Sequence, residues 1–313
     1  SSDLTATEMS RAAVQQIPEE AVLMPSVYYA FNEHHLDFPG TIAVEGNTFI
    51  NYITDIGKSL AHHGFQRRFA LLQVAGRIVE HQAGGRFFLD QEEAALPLDH
   101  GSHGFSVPRL LAFDLSIDHL EHEYWFPREI AGRGSMLNDF AVSPDGRTVY
   151  IADSSIFRNT GAIIVYDVAT KTARRVLDGD RSVQAMPYLP RVRGREMQLL
   201  GAFALRPNVD SIALDRHGLW LYYGAVTSDV LWRIRAQDLD DPSLSPEQLS
   251  ARVETFSRKT MSDGITIDWE DNVYVTDPEH DAIHRIDRRG AQVTLFRDDR
   301  LRWPDGIGFG AGG

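Results

Sequence analysis

The stretch that decides the fold of this chain is NDFAVSPDGRTVYIAD, residues 138–153. It joins a short apolar strand, an Asp-Gly turn and a second strand rich in Val, Ile and Tyr, which is typical of a β-hairpin. The same frame returns as DSIALDRHGLWLYY at 210–223, as DGITIDWEDNVYVTD at 263–277 and, shortened, as DGIGF at 305–309. A weaker copy, GTIAVEGNTFINY, lies at 40–52. The chain therefore contains an internal repeat.

Further strands follow the hairpins and define the architecture. Third strands are predicted at 162–167, 229–234 and 282–287, and fourth strands at 173–177 and 292–296. Four antiparallel strands per repeat form a blade of a β-propeller. The closest copies are about 40 residues apart, which is the size of one blade. We predict an all-β, six-bladed β-propeller with four-stranded antiparallel blades. One blade is expected to be incomplete if 313 residues is the natural length of the chain.

The domain organisation follows from the repeat. Residues 1–313 are predicted to form a single propeller domain, with an N-terminal segment at 1–30 and insertions at 181–207 and 238–253. The first insertion is rich in Pro and Arg and shows no strand pattern, so we expect it to fold over the channel mouth as a lid, since long insertions in compact domains are usually functional or disordered.

The second insertion carries the signals of a short helix. Ser245 suits the N-cap, Pro246 suits the first helical position, and Gln248 completes a capping box.

Composition excludes several classes of function. With 44 acidic against 31 basic residues the net charge is −13, which repels nucleic acid. No window is long and apolar enough to span a membrane, and the first residues lack the pattern of a secretory signal. The chain has no cysteine, and its three lysines, Lys58, Lys171 and Lys259, leave few candidates for Schiff-base chemistry. Motifs of serine hydrolases and nucleotide-binding loops are absent from the sequence.

The first strand of each blade lines the channel, so the residues that begin these strands converge on one mouth. Asn138, Asp210, Asp263 and Asp305 hold this position, and Asp139 and Trp303 lie beside it in sequence. Clustered carboxylates repel one another unless a cation or protons lie among them, so either a metal binds or some pKa values rise. The alternative is that each Asp caps its own turn.

Five segments resemble the major royal jelly/yellow protein family in order between residues 39 and 309. They are LLAFDL at 110–115, LNDFAV at 137–142, LYYGAVTS at 221–228, SDGI at 262–265 and WPDG at 303–306. The resemblance implies a six-bladed, often secreted propeller, in a family that includes small-amine binders and dopachrome-converting proteins. A secreted or periplasmic location is therefore expected. The chain departs from the family pattern between 77 and 109, where only RFFL at 86–89 reads as a strand, and after 309.

A more distant likeness is to the senescence marker protein/gluconolactonase propellers. In that family acid and amide side chains hold a divalent ion at the channel mouth, and Asn138, Asp210 and Asp263 fall where such ligands would lie. The early Glu of that family has no counterpart, because Gly40 occupies its frame position. Hard oxygen ligands without thiols suit Ca²⁺ or Mg²⁺ better than Zn²⁺. We therefore expect that a divalent cation, with Ca²⁺ as the best candidate, can occupy the mouth even if the protein is not a lactonase.

The favoured interpretation is a royal jelly/yellow-type propeller that binds a small polar or aromatic molecule at the mouth. Its chemistry, if it is an enzyme, is proton transfer of the tautomerase or isomerase type. Asp210 and Asp263 are the candidate acid and base, and Asn138, Asp139, Asp305 and Trp303 are candidate ligand-binding residues. The alternatives are a metal-dependent lactonase and a non-catalytic interaction scaffold.

Overall fold

The computed structural model describes nine stretches of the chain. They are residues 78–80, 85–92, 107–114, 119–132, 134–155, 160–199, 203–204, 206–301 and 303–309. The chain divides into two units, Ser1–Ala75 and Gly76–Gly313, and every described residue belongs to the second. The predicted N-terminal segment at 1–30 and the hairpin at 40–52 lie outside the described residues.

The described residues form twenty strands and two short helices. The strands are β1 Ile78–Glu80, β2 Gly85–Glu92, β3 Val107–Asp114, β4 His119–Trp125, β5 Leu137–Val142, β6 Thr148–Asp153, β7 Ala162–Asp167, β8 Thr172–Val176, β9 Arg191–Val192, β10 Arg195–Glu196, β11 Gln198–Leu199, β12 Phe203–Ala204, β13 Val209–Leu214, β14 Trp220–Ala225, β15 Val230–Arg235, β16 Glu254–Arg258, β17 Ile265–Ile267, β18 Val273–Asp277, β19 Ala282–Ile286 and β20 Gln292–Arg297. The helices are α1 Ala236–Asp240 and α2 Pro246–Ser250.

Sixteen of these strands build four antiparallel sheets, each with its strands in chain order: β1–β4, β5–β8, β13–β16 and β17–β20. Two small hairpins, β9–β10 and β11–β12, complete the described strands. The predicted all-β fold with four-stranded antiparallel blades is confirmed, whereas six blades stays a prediction. Neither described helix is long and apolar enough to cross a membrane.

Neighbouring sheets pack face to face because successive side chains of a strand point to opposite faces. In β14, Tyr223 belongs to the core shared with sheet β5–β8, whereas its neighbour Tyr222 belongs to the core shared with sheet β17–β20. Ile163 and Ile164 of β7 divide in the same way between the cores on either side of sheet β5–β8. This alternation stacks the sheets as consecutive blades.

The aspartates of the hairpin turns act within their own turns, as the repeat frame predicts. Asp145, Asp215 and Asp268 each accept hydrogen bonds from backbone N–H groups of the following residues. The turn aspartates therefore have a structural role within their own hairpins.

Three segments differ from the sequence-based expectation. Between 77 and 109 the structure has β1 paired antiparallel with β2, with Val79 opposite Phe87, and β2 paired antiparallel with β3. The insertion at 181–207, expected to lack strands, contains the two small hairpins, of which β9–β10 closes through a turn with positive φ at Arg193 and Gly194. A helix not predicted separately, α1, continues directly from β15, whereas α2 has the predicted cap, Pro position and capping box.

Candidate functional site

The inner strands of three consecutive sheets lie side by side, with β13 between β5 and β17. Apolar side chains from all three strands line one cavity, among them Phe140, Ile212 and Ile267. Inner strands therefore converge, as the propeller pattern predicts, and the residues that begin them are brought to one place.

Bulges in two of these strands direct the polar residues. The pairing of β5 with β6 shifts register between Leu137 and Phe140, which leaves Asn138 and Asp139 outside the regular ladder. The pairing of β13 with β14 shifts between Val209 and Ser211, at Asp210. A β-bulge bends the strand and re-aims a side chain, and bulges are frequent beside functional sites.

The bulged residues meet the segment that precedes β17. Asn138 and Asp263 lie close enough to Asp210 to shift its pKa, Asn138 by favouring the ionised form and Asp263 by its negative charge. Ser211 Oγ donates to the carbonyl oxygen of Asp263 at 2.6 Å, which ties the two segments together. Asp139 is close enough to act on both carboxyls electrostatically.

Burial and mutual repulsion dominate the electrostatics. Asp210 is buried, and burial, followed by the negative charges of Asp263, Asp139 and Asp305, raises its pKa well above the ordinary value. Burial also raises the pKa of Asp263, although a hydrogen bond from Trp303 opposes the rise. Two adjacent carboxyls with raised pKa values favour a state in which the pair shares a proton.

The segment 303–305 completes the cluster at Asp263. The indole Nε1–H of Trp303 donates to Asp263 Oδ2. Trp303 has φ 66°, a left-handed conformation that costs free energy in a bulky residue, and such strain collects at functional sites. Gly264 permits the close approach of Asp305, because a Cβ at this position would lie 2.7 Å from the Asp305 carbonyl oxygen. The structure thus brings together all six residues that the sequence singled out: Asn138, Asp139, Asp210, Asp263, Trp303 and Asp305.

Lys259 is the residue that sequence reasoning missed. Its side chain is buried, and burial lowers its pKa to about 7 even though the charges of Asp229, Asp263 and Asp210 oppose the shift. The rarity of lysine in the chain was a weak signal, since it did not distinguish Lys259 from the other two.

The 181–207 insertion, hereafter the mouth loop, packs beside the cluster. Met197 of this loop forms a buried apolar group with Val226 and Met261, and Leu189, Val192 and Trp303 pack against that group. Because Trp303 also donates a hydrogen bond to Asp263, its side chain contacts both the mouth loop and the carboxyl cluster.

Polar contacts hold the mouth loop to the turn after β18. Tyr188 Oη donates to Glu279 Oε2, and the backbone N–H of Arg191 donates to Glu279 Oε1 at 2.8 Å. Arg193 pairs with Asp281 at 3.2 Å. Arg191 pairs with Glu196 within the loop at 2.6 Å.

A divalent cation fits this donor set poorly. Within the described stretches, no group of three or more Asp, Glu, His or Cys side chains has an arrangement that would hold a metal ion. Asp263 Oδ2 already accepts from Trp303, and the charge of Lys259 acts on both Asp210 and Asp263. The described residues therefore do not favour a metal at this site.

Comparison with known proteins agrees with the class that the sheets define, a β-propeller. Residues 100–307 match the family model of the major royal jelly proteins, and the chain belongs to that family. This confirms the family resemblance seen in the sequence. Residues 3–74, outside the described part, match the family model of creatinine amidohydrolase (creatininase). The single-domain organisation and the secreted or periplasmic location stay predictions. No curated protein matches the chain.

Several solved propellers are similar to this chain at low sequence identity. A calcium-binding protein, regucalcin, from Agrobacterium tumefaciens is 14% identical with a TM-score of 0.43, and the match covers 74% of this chain and 63% of that one. A gluconolactonase from Xanthomonas campestris is 10% identical with a TM-score of 0.44, covering 72% and 63%. Virginiamycin B lyase from Staphylococcus aureus is 15% identical with a TM-score of 0.40, covering 74% and 58%. The chain thus spans less than two thirds of the length of each.

Proposed function

We propose that this chain binds a small polar or aromatic molecule at the mouth and transfers a proton on it, with Asp210 and Asp263 as the acid and base. The observation that carries the proposal is the hydrogen bond from Ser211 Oγ to the Asp263 carbonyl oxygen, which holds the segments of Asp210 and Asp263 together and so brings two carboxyls of raised pKa close to each other. Neighbouring carboxyls whose pKa values are raised are typical of general acid–base groups.

A shared proton gives the pair both functions that a tautomerisation needs. The protonated carboxyl donates to one atom of the ligand, and the ionised carboxyl accepts a proton from a neighbouring atom, after which the pair again holds one proton. Asn138 lies beside Asp210 and favours its ionised form. The indole N–H of Trp303 favours the ionised form of Asp263, which makes Asp263 the better base of the two.

The surroundings suit a ligand with a planar or aromatic part and a polar end. Trp303 and the apolar group of Met197, Val226 and Met261 offer a hydrophobic side to the site. Asn138, Asp139 and Asp305 offer hydrogen-bonding groups. This combination of an apolar lining with a few polar groups is typical of small-molecule sites.

The test is exchange of carbon-bound protons in D₂O, followed by NMR, with phenylpyruvate as an aromatic enolisable probe and dihydroxyacetone as a polar one. We expect exchange above the buffer rate for at least one probe, and its loss in Asp210→Asn and Asp263→Asn. Asp145→Asn is the matched control, because Asp145 acts in an exposed turn. Exchange that is unchanged in both mouth variants would contradict the assignment, and exchange equal to buffer for the parent would favour the scaffold alternative.

Metal-dependent lactone hydrolysis is the alternative enzymatic hypothesis from the sequence. No arrangement within the described residues favours it over proton transfer, because the mouth combines two carboxyls of raised pKa with a nearby amine. The Tm measured with added Ca²⁺ and with a chelator separates the two functions.

A further inference from the structure

The amine of Lys259 is buried and has few polar contacts. Its side chain is 5% exposed, and its Nζ donates to the carbonyl oxygen of its own neighbour, Thr260, at 3.1 Å. Within the described residues it forms no ion pair with a carboxylate, although Asp229, Asp263 and Asp210 act on it electrostatically. A buried ammonium usually needs a close counter-ion, so this lysine is poorly explained as a structural residue.

The backbone leaves space for this side chain in a specific way. Gly224 of β14 faces Lys259, and a Cβ at this glycine would lie 2.7 Å from Lys259 Cε. Any larger residue at 224 would displace the lysine stem. The lysine is therefore accommodated in the interior by the absence of a side chain on the neighbouring strand.

Two further buried groups near Lys259 lack partners. The segment that carries Lys259 runs beside residues 226–229, through hydrogen bonds from Lys259 N to Asp229 O at 3.0 Å and from Ser262 N to Val226 O at 3.2 Å. Each segment contains a buried threonine hydroxyl, of Thr227 and of Thr260, that has no hydrogen-bond partner among the described residues. An unpartnered buried hydroxyl is costly unless a ligand or water satisfies it.

We infer that Lys259 is a further catalytic residue, whose amine forms an imine with the aldehyde or ketone group of the ligand. The inference rests on the proposed function and names its substrate class, carbonyl compounds. A desolvated lysine is the amine that proteins use for this chemistry, because burial favours its neutral, nucleophilic form. The pKa of about 7 makes that form abundant near neutral pH.

The step balances with the groups present. The nitrogen lone pair of Lys259 forms the bond to the carbonyl carbon, and the nitrogen loses one of its two protons. The carbonyl oxygen leaves as water with that proton and a second one from the Asp210–Asp263 pair. The product is a positively charged iminium next to an ionised carboxyl pair. Its positive charge acidifies the adjacent C–H, so the same carboxylates can then remove that proton.

Reductive trapping tests the inference on the full chain. Propanal and sodium cyanoborohydride are added at neutral pH, the chain is digested at acidic residues, and the propylated lysine peptides are measured by mass spectrometry. We expect Lys259 to be alkylated several-fold faster than Lys171, an exposed turn residue in the same sample. Lys259→Met removes that adduct and leaves labelling of Lys171 unchanged.

A second variant, Glu279→Gln, and the proton-exchange experiment distinguish the possible outcomes. Glu279→Gln releases a contact of the mouth loop, so restricted access would be revealed by faster labelling in that variant. Lys259 that stays unlabelled in both parent and Glu279→Gln, while Lys171 is labelled, overturns the inference. Proton exchange lost in Asp210→Asn without any adduct leaves the proposed function standing alone, whereas an adduct without proton exchange leaves the imine site and removes the acid–base assignment.

Discussion

At the scale of single residues, the carboxyls of Asp210 and Asp263 lower the stability of the folded state. Asp210 is buried beside other carboxyls, and its ionised form has lost water without gaining a cation within contact distance among the described residues. Breaking such a cluster by an uncharged isostere is often stabilising, because the buried charge is removed and the shape kept. Natural proteins retain such groups chiefly where function needs them.

The pH dependence of stability follows from the sign of the shift. Because the pKa of Asp210 is raised in the folded state, the protonated carboxyl supports folding at pH below 3.8, and this contribution is lost as the pH rises through the folded-state pKa. We expect Asp210→Asn to raise the Tm at pH 8 by a few degrees, equivalent to about 1 kcal/mol, and to leave it nearly unchanged near pH 4. Thermal unfolding at both pH values is the measurement.

Asp145→Asn is the control with the opposite sign. A hydrogen bond from Ser143 and the backbone N–H of Arg147 lower the pKa of Asp145, so its ionised form supports folding above pH 3.8. This variant should therefore lose stability at pH 8. A Tm decrease in Asp210→Asn at pH 8 would show that its carboxylate is stabilised by a partner.

At the scale of elements, α2 illustrates local determination. Its capping box is complete, since Ser245 Oγ accepts from Gln248 N and the Gln248 side chain accepts from Ser245 N. Ser245→Ala should cost about 1 kcal/mol in the free energy of unfolding, measured with urea. Ser245→Asn, which keeps an oxygen that can accept at the N-cap, is the matched comparison, and an equal loss in both variants would mean that the cap oxygen does not stabilise the helix.

The mouth loop is an element whose position depends on distant residues. Glu279 receives hydrogen bonds from both Tyr188 and the backbone of Arg191, so Glu279→Gln weakens the anchoring of the loop. We expect trypsin to cleave after the arginines of the loop, such as Arg193, several-fold faster in this variant with little change in Tm. Glu254→Gln, which loses an exposed ion pair with Arg233, is the control. Equal cleavage rates in the two variants would contradict the anchoring role.

At the scale of the whole molecule, the net charge of −13 attracts cations. A cation that binds only the folded state raises the Tm by mass action. Protons on the carboxyls and the charge of Lys259 already reduce the repulsion at the mouth. We therefore expect that neither added Ca²⁺ nor a chelator changes the Tm of the parent. A Ca²⁺-dependent rise that disappears in Asp263→Asn would place a cation at the mouth and favour the lactonase alternative.

Much of this architecture was predictable from the chain alone. The repeated frame, the four-stranded sheets, the turn aspartates and the cap of α2 are local patterns, in which each residue is related to others a few positions away. The six mouth residues were predictable as well, since they hold related positions at or beside the repeat frame and a repeated structure carries such positions to one place. Their roles in binding or catalysis stay predictions.

Only the tertiary structure decided the remaining features of the site. Lys259 lies near the carboxyls because Gly224 on another strand leaves space for it, and the mouth loop packs at Trp303 through side chains far apart in sequence. The bulges at Asp210 and at Asn138–Asp139 depend on the pairing partner of each strand. Local propensity specifies strands and turns, but burial, and with it the pKa of a lysine or an aspartate, is a property of everything packed around a residue, which no periodic pattern contains.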